Sequence, residues 1–271
     1  MRAVVDMHQP GQRMNSLIVL AHPEPQSYNA ALAHVAAKTL ASQDNAVRMS
    51  DLYAQTFDPD EHARHFPQRK NPTRFDAQTE QRFNGAQRTL PADVGREIDN
   101  LLWADFVLLQ FPLWWFGMPA ILKGWMDRVF AYGTLYSGGA RFHTGVCRGK
   151  RAMLSVTAGS SPEACRHDGQ EGDTRLILWP IHYALHYVGF TVLEPAIIAG
   201  VRGGLADHAV AEQDRYLDQQ MQAHVARLSR PDALPAIPFN TDEDWDARRK
   251  LRPDAPVHSP FIRHRVDLRL V

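Results

Sequence analysis

Residues 105–130 read DFVLLQFPLWWFGMPAILKGWMDRVF, and this stretch decides the fold class. Its first seven residues, 105–111, form a short apolar run of the kind that makes a buried strand. Pro112 and Pro119 bound a turn, and beyond the second proline the apolar residues recur with helical spacing as far as Phe130. A strand that passes through a turn directly into a helix is the repeating unit of a parallel sheet.

The same unit recurs along the chain. Apolar runs rich in β-branched residues predict five strands, at 16–21, 46–51, 105–111, 151–157 and 190–198. Helical patterns cover residues 29–41, 93–102, 119–130, 173–188 and 207–228. Pro195 interrupts the last strand, which suits an edge strand or a strand end. The alternation predicts an α/β fold, a doubly wound, five-stranded parallel sheet with helices on both faces.

A single domain at residues 16–230 accounts for this pattern. An N-terminal extension, 1–15, precedes it, and a proline-rich C-terminal arm without periodicity, 231–271, follows it. We expect the arm to be extended and able to pack on a partner subunit. Residues 58–92 form a polar insertion that is too long for a bare connection, so we expect it to have a functional or interface role.

Composition limits the classes of partner. Thirty Lys and Arg residues balance thirty Asp and Glu residues, which argues against a nucleic-acid or anionic-membrane binder. The most apolar stretch, 101–125, contains Asp105, Lys123 and two prolines, so we expect no membrane insertion. The first fifteen residues lack the apolar core of a secretory signal, and the chain has only two cysteines. These features predict a cytoplasmic protein that binds small molecules and has no metal site.

The loop after the first strand, HPEPQSYN at residues 22–29, leads into a helix. Ser27 and Asn29 are candidate capping residues, and the free backbone N–H groups at such a helix start can bind phosphate. An ordinary capped helix explains the same residues, so this motif alone leaves both interpretations open. No G-x-G-x-x-G pattern follows any strand, which argues against a Rossmann dinucleotide site.

The loop after the third strand is more specific. Trp114, Trp115 and Phe116 stand in a turn between prolines, where a sheet edge can seldom bury three large aromatic side chains without a ligand or a partner. Aromatic walls with free backbone amides suit a flat, partly polar ring system such as an isoalloxazine.

The segment QFPLWWFGMPAILKGWMDRVF resembles the signature of the NAD(P)H:quinone oxidoreductase family, the DT-diaphorase-like group. Five more segments resemble that family in the same order, from residue 17 to residue 195: LIVLAHPEPQSYNAAL, SDLYA, LSVTAGS, GDTRLILWPI and GFTVLEP. The resemblance implies a flavodoxin-like fold with strand order 2-1-3-4-5 and a homodimer. It also implies FAD as cofactor, with FMN possible, NAD(P)H as electron donor and a quinone as acceptor.

The resemblance also implies which residues form the site. Cofactor-binding residues would come from the loops after strands one, three and four: His22, Gln26, Ser27, Tyr28, Asn29, Pro112, Leu113, Trp114, Trp115, Phe116, Thr157, Ala158, Gly159 and Ser160. Catalytic roles would fall to Gly159 and to Tyr136, which matches a tyrosine that covers the substrate pocket across a dimer interface.

One part of the family pattern is missing. Where the vertebrate members have a tyrosine and a histidine as a charge relay, this chain has Cys165 and Glu171. A carboxylate beside a developing negative charge is unfavourable, so that relay is not carried over. Arg166 and His167 stand in the same loop, and our hypothesis is that either supplies positive charge or a proton as a catalytic residue.

Several alternatives stay open. The same flavin site could reduce azo compounds, nitroaromatics or free flavin, and some relatives are ancillary regulatory flavoproteins of potassium-efflux systems. The choice between NADH and NADPH is open too. His182 and His186 are interpreted as structural residues, not as a metal pair, and Glu97 and Asp99 as a solvated helix face.

Overall fold

The structure is a computed structural model that describes residues 13–264 of the 271-residue chain. Most of the predicted N-terminal extension, 1–15, and the end of the C-terminal arm, 265–271, therefore lie outside the described residues. The strands are β1 (Asn15–Leu20), β2 (Ala46–Asp51), β3 (Phe106–Pro112), β4 (Arg151–Thr157), β5 (Thr191–Val192) and β6 (Ala196–Ile198). The helices are α1 (Tyr28–Ala41), α2 (Ala77–Gln87), α3 (Ala92–Trp103), α4 (Ala120–Val129), α5 (Thr174–Ile177), α6 (Trp179–Tyr187) and α7 (Asp207–Leu228).

The sheet is parallel and has the order β2-β1-β3-β4-β5, which confirms the predicted topology. Successive side chains of β1 point to opposite faces: Leu17 and Val19 belong to one buried core, and Ile18 and Leu20 belong to the other. Helices α3, α4 and α6 cover the first core, and α1 covers the second together with the end of α7. Two covered faces explain why the strands read as nearly continuous apolar runs.

The predicted fifth strand, 190–198, is two short strands. β5 pairs with the start of β4, and β6 pairs with its end, from Ser155 to Thr157. Pro195, which lacks an N–H group, stands immediately before β6, in the gap between the two paired segments. The Glu194 N–H donates to the Pro235 carbonyl at 2.9 Å instead, so the C-terminal arm covers the gap.

The predicted helix at 173–188 is also divided. Asp173 caps α5 by accepting from the N–H groups of Arg175 and Leu176, and α6 begins at Trp179 with Pro180 in its first turn. Proline is favoured in a first turn because the N–H group that it lacks would have no partner there. The break after Ile177 separates a short helix near the strand ends from a longer one that covers the sheet.

The insertion at 58–92 holds α2 and packs closely on the domain. A Cβ atom on Gly124 of α4 would lie 2.2 Å from the Pro59 carbonyl oxygen, so only glycine allows this approach. Arg128, also on α4, is buried and donates to Asp93 at 2.7 Å and to the Asp58 carbonyl at 2.5 Å. The start of the insertion is therefore part of the packed structure.

The interpretation of Glu97 as part of a solvated face is wrong. Its side chain is fully buried, and its carboxylate accepts from the Trp125 indole N–H at 3.0 Å. Asp99, by contrast, is exposed. A buried indole needs an acceptor, and the sequence does not show that α3 supplies one.

The described part of the C-terminal arm packs on its own chain. The Ile237 N–H donates to the Val192 carbonyl at 2.8 Å, which adds a bond at the edge of β5. The Phe239 ring stacks on His186 of α6, with ring centroids 4.3 Å apart, and Phe261 stacks on Trp179 at 4.9 Å. Packing of the arm on a partner subunit stays a prediction. Across residues 13–264, no helix has the length and apolar character that a membrane crossing requires.

Candidate active site

The loops that follow β1, β3 and β4 meet at the carboxyl end of the sheet, as expected for a doubly wound fold. The Ala21 N–H donates to the Gln110 carbonyl at 3.0 Å, and the Leu113 N–H donates to the Thr157 carbonyl at 2.7 Å. The Ala158 N–H likewise donates to the Ile198 carbonyl at 2.9 Å. The three loops therefore start from one rigid edge.

A buried chain of side-chain hydrogen bonds joins β3, α1 and β4, the elements next to these loops. The Gln110 amide donates to Asn29 Oδ1 at 2.9 Å, and the Asn29 amide donates to Thr157 Oγ1 at 2.8 Å. All three side chains are buried. Asn29 is therefore not a capping residue, and its side chain bonds that of Thr157. The Thr157 carbonyl already accepts from Leu113, so of these two residues Asn29 offers a free backbone N–H to a ligand. Gln110 was missed, although a glutamine inside an otherwise apolar strand is a detectable signal.

The start of α1 has free donors. Ser27 caps the helix by accepting from the Ala30 N–H at 3.1 Å. Within residues 13–264, the N–H groups of Tyr28 and Asn29 have no hydrogen-bond partner, so they can bind an anion at the positive end of the helix. The Tyr28 hydroxyl does not join this anion site, because it donates to the Leu217 carbonyl of α7 at 2.7 Å. Burial raises the pKa of Tyr28 to about 12.

Two other residues predicted in this loop lie near its surface. His22 Nδ1 accepts from the Glu24 N–H at 3.1 Å, and the His22 ring lies 6.0 Å from the ring of Trp114. Gln26 is exposed, and its N–H donates to the Glu24 carboxylate at 2.8 Å. His22 therefore connects the first loop to the aromatic turn, whereas the Gln26 side chain faces solvent.

The aromatic turn, residues 114–117, has strained backbone at its two central residues. The N–H and carbonyl groups of Trp114 and Gly117 exchange two hydrogen bonds of 3.0 Å, which closes a two-residue hairpin. Its central residues, Trp115 and Phe116, have φ values of +50° and +59°, where glycine and asparagine are preferred. Trp115 is 96% exposed and Phe116 is 55% exposed. Strained residues that expose large rings are typical of a ligand-binding surface.

A cavity of about 250 Å³ lies between the aromatic turn and the loop after β4. The sequence predicted six of its lining residues: Leu113, Trp115, Phe116, Ala158, Gly159 and Ser160. Four more line it: Cys165, Glu171, Thr174 and Ile177. Cys165 and Glu171, the two positions that depart from the family pattern, therefore do face the cavity.

Arg166 and His167 do not line this cavity. Both side chains are exposed and turn to Asp168, at 3.1 Å from Arg166 and 3.9 Å from His167. They line a separate cleft at the edge of the sheet, together with Arg175 and Arg227. The hypothesis that they supply charge to the cavity therefore requires a rearrangement of the 160–172 loop.

Tyr136 lies in a second, mainly apolar groove of about 440 Å³, which α4 and α6 form. Its ring packs edge-on against Tyr132 and Tyr187, with centroids 5.4 and 5.7 Å apart. Its hydroxyl accepts from the Gln78 amide at 3.2 Å, and burial raises the pKa of Tyr136. Within one chain, Tyr136 is thus not among the residues around the 250 Å³ cavity.

The residues around this cavity fit a flavin. The aromatic turn offers flat rings for stacking, and the N–H groups of Gly159 and Ser160 have no hydrogen-bond partner within residues 13–264. A Cβ atom on Gly159 would meet only the Val201 carbonyl oxygen, at 3.8 Å, so this edge is open. The free N–H groups at the start of α1 suit the phosphates of such a molecule.

The sheet order and the cavity at the carboxyl ends of the strands define a flavodoxin-like protein. A family model described as "Flavodoxin-like fold" matches residues 14–221. Ribosyldihydronicotinamide dehydrogenase (quinone) of Pongo abelii is 43% identical over 183 residues, which cover 67% of this chain and 79% of that protein.

NAD(P)H dehydrogenase (quinone) 1 of Cavia porcellus is 39% identical over 188 residues, which cover 69% of this chain and 68% of that protein. A solved structure from Klebsiella pneumoniae, assigned as a quinone reductase, is 36% identical with a TM-score of 0.79. The match covers 89% of this chain and 94% of that one. The chain belongs to the NAD(P)H:quinone oxidoreductase family of flavin-dependent, flavodoxin-like enzymes.

Proposed function

We propose that this protein reduces a quinone by two electrons, with NAD(P)H as donor and FAD as bound cofactor, in a ping-pong reaction. The observation that carries this proposal is the cavity between the strained aromatic turn and the free N–H groups of Gly159 and Ser160, in a chain of this family. When bound, FAD would supply the two-electron redox chemistry between NAD(P)H and the quinone.

The loop after β1 binds the phosphates in this proposal. The N–H groups of Tyr28 and Asn29 donate to the anion, and the Ser27 cap fixes the first turn of α1 around them. The buried Gln110–Asn29–Thr157 chain keeps this loop in register with the other two. Its three members lie in β3, α1 and β4, next to the points where the three loops begin or end.

The loops after β3 and β4 contact the reacting ring of the flavin in this proposal. Trp115 and Phe116 stack on it and exclude water, while Pro112 and Leu113 hold the base of the turn. Gly159 is the catalytic residue that the geometry supports best, since its N–H group, with that of Ser160, can donate to the negative charge that develops on reduction.

The substrate side involves a second protomer in this proposal. The apolar groove that contains Tyr136 is separate from the flavin cavity of the same chain, and a homodimer would bring Tyr136 of one protomer to the flavin of the other. The absence of a membrane-spanning helix among the described residues and the even charge balance agree with a cytoplasmic enzyme.

An anaerobic titration tests the proposal. The full-length protein should purify as a yellow dimer, release FAD on heating, lose its visible absorbance on addition of NADPH or NADH, and regain it on addition of a quinone. Chromatography of the released chromophore separates FAD from FMN. A colourless protein that binds neither FAD nor FMN would refute the proposal.

Two serines at opposite ends of α1 give a matched pair of variants. Ser27→Ala removes the cap beside the phosphate site and should weaken flavin binding about five- to tenfold, because a capping bond contributes about 1 kcal/mol. Ser42→Ala changes the serine at the C-terminal end, whose hydroxyl bonds the Thr39 carbonyl, and should leave flavin affinity unchanged. If the two substitutions changed flavin affinity equally, the start of α1 would not be the phosphate site.

A further inference from the structure

Helix α2 of the insertion presents one face to the turn at 131–136, which carries Tyr136. Its contacts with that turn recur at positions 78, 81–82 and 85, three to four residues apart, and therefore share one side of the helix. At the first position, Gln78 donates its amide to the Tyr136 hydroxyl at 3.2 Å. The insertion thus contacts a predicted substrate-facing residue directly.

Gln81 is the central contact on this face. Its side chain is buried, and its amide oxygen accepts from the Tyr132 N–H at 2.9 Å. Its amide nitrogen donates to the Glu61 carboxyl group at 2.8 Å and to the Asp127 carbonyl at 3.3 Å. One side chain therefore joins α2, the beginning of the insertion, the end of α4 and the turn.

Two glycines allow the helix and the turn to meet at close range. A Cβ atom on Gly85 of α2 would lie 2.6 Å from Thr134 Oγ1, a distance that folded chains do not show. Gly133 in the turn has a φ of +85°, and a Cβ atom there would lie 3.0 Å from Arg82 Cγ. The Thr134 side chain of the turn packs directly on Gly85, and Arg82 of α2 packs directly on Gly133, so a shift of α2 should displace the turn.

We propose that α2 is a positioning element of the substrate site, and that Gln78, Gln81 and Gly85 fix where Tyr136 lies. None of the three lines the flavin cavity. Gln78 lines the Tyr136 groove beside the phenol that it contacts, and Gln81 and Gly85 contact the turn, so all three act on the acceptor side and not through the cofactor. The inference rests on the proposed function in one respect, namely that the acceptor contacts Tyr136. It gives the long insertion a specific task in catalysis.

The proposal separates acceptor binding from flavin binding. The Tyr136 ring is held between Tyr132 and Tyr187, and within residues 13–264 its hydroxyl has one hydrogen-bond donor, Gln78. Loss of that donor should move the hydroxyl and leave the loops around the flavin in place. The KM for the quinone should therefore rise, while kcat and the flavin dissociation constant stay near their wild-type values.

Gln78→Leu is the first test, because Gln78 is exposed and the variant should fold. We expect a three- to tenfold increase in the KM for the quinone, the size of effect that one hydrogen bond of about 1 kcal/mol gives. Gln87→Leu is the matched control, since Gln87 is exposed on the same helix and makes no side-chain hydrogen bond within the described chain. Gln78→Glu should restore the KM, because the phenol can donate to the carboxylate.

A second measurement does not need turnover. Ultraviolet titration of the full-length apoprotein, as a difference from the same protein with Tyr136→Phe, follows the ionisation of this phenol alone. Gln78→Leu should raise the pKa of Tyr136, because the Gln78 amide donates to the phenolate and stabilises it. Gln78→Glu should raise it further. A protein without quinone reductase activity would refute the proposed function and leave this readout intact.

Gly85→Leu tests the close contact, with Gly95→Leu on α3 as its control, because a Cβ atom on Gly95 meets nothing within 4 Å. The Gly85 variant should raise the KM for the quinone at least tenfold and change the titration of Tyr136, whereas the Gly95 variant should change neither. Two outcomes would overturn the proposal. One is a wild-type KM and titration in both Gln78→Leu and Gly85→Leu, and the other is an equal loss of flavin affinity and quinone binding, which would make α2 a general structural brace.

Discussion

The sequence of the aromatic turn should lower the stability of the apoprotein and raise its affinity for flavin. Replacement of Trp115 by Asn together with Phe116 by Gly tests this directly. These two residues occupy the centre of a two-residue hairpin with φ values of +50° and +59°, for which Asn-Gly is the preferred sequence. The double variant keeps the backbone path and removes both rings. The apoprotein should become more stable and lose affinity for flavin.

The magnitude follows from the exposure of the two rings. Left-handed backbone costs a residue other than glycine about 1–2 kcal/mol, so the pair stores about 2–4 kcal/mol. Trp115 is 96% exposed and loses almost no packing, while Phe116, 55% exposed, loses about 1 kcal/mol of burial. The new glycine costs up to about 1 kcal/mol through the unfolded chain. The net gain is about 1 kcal/mol, equivalent to roughly 2–4 °C in Tm.

The assay is urea unfolding of the flavin-free protein, followed by a flavin titration. Loss of two stacking rings should raise the flavin dissociation constant at least tenfold. Asp44→Gly is the control for strain alone: Asp44 also has a positive φ, 61°, but lies in the loop before β2, so its replacement should leave flavin affinity unchanged. A double variant that is less stable than wild type, or that binds flavin as tightly, would refute the reasoning.

Three further predictions concern buried or cavity-lining side chains. Asn29→Ala should lower the free energy of unfolding by about 2–4 kcal/mol in urea titrations, because it leaves the buried Gln110 amide and Thr157 hydroxyl without partners; a change below 1 kcal/mol would contradict this. Burial lowers the pKa of His224 to about 4, so between about pH 6.5 and pH 4 the unfolded chain binds a proton that the folded chain does not, and stability falls as the pH falls. His224→Leu should remove about 3 kcal/mol of that loss, measured as the difference in unfolding free energy between pH 7 and pH 4, and an unchanged difference would show that His224 does not titrate in this way. Glu171→Gln, which replaces the one carboxyl side chain that lines the cavity among the described residues, should raise the two-electron potential of the bound flavin by tens of millivolts in a dye-coupled titration, and an unchanged potential would show that Glu171 does not lie beside the reacting ring.

The sheet could be predicted from sequence because its strands are local and distinctive. Short runs between turn residues identified β2 and β4 with their observed bounds, and β1 and β3 to within one residue. The helix at 207–228 was also predicted with its observed bounds. Patterns of this kind depend only on neighbouring residues, so a single sequence is enough to predict these elements.

Features that depend on partners far along the chain could not be predicted. Glu97 looks like an ordinary helix-surface residue until Trp125, 28 positions away, is seen to donate to it. Asn29 looks like a helix cap, but its amide bonds side chains 81 and 128 positions away. The charge and spacing of residues do not reveal such long-range pairs. They also do not reveal that Arg166 and His167 point away from the cavity.

The interrupted last strand has a consequence for the behaviour of the protein in concentrated solution. An uninterrupted outer strand would offer a row of free N–H and carbonyl groups to any other molecule, which is how soluble proteins begin to aggregate. Here the outer pairing is divided between β5 and β6, and the segment 235–237 occupies the hydrogen-bonding groups of Val192 and Glu194. The C-terminal arm thus keeps one side of the sheet from recruiting strands of other molecules, and a chain cut after residue 230 would expose that side.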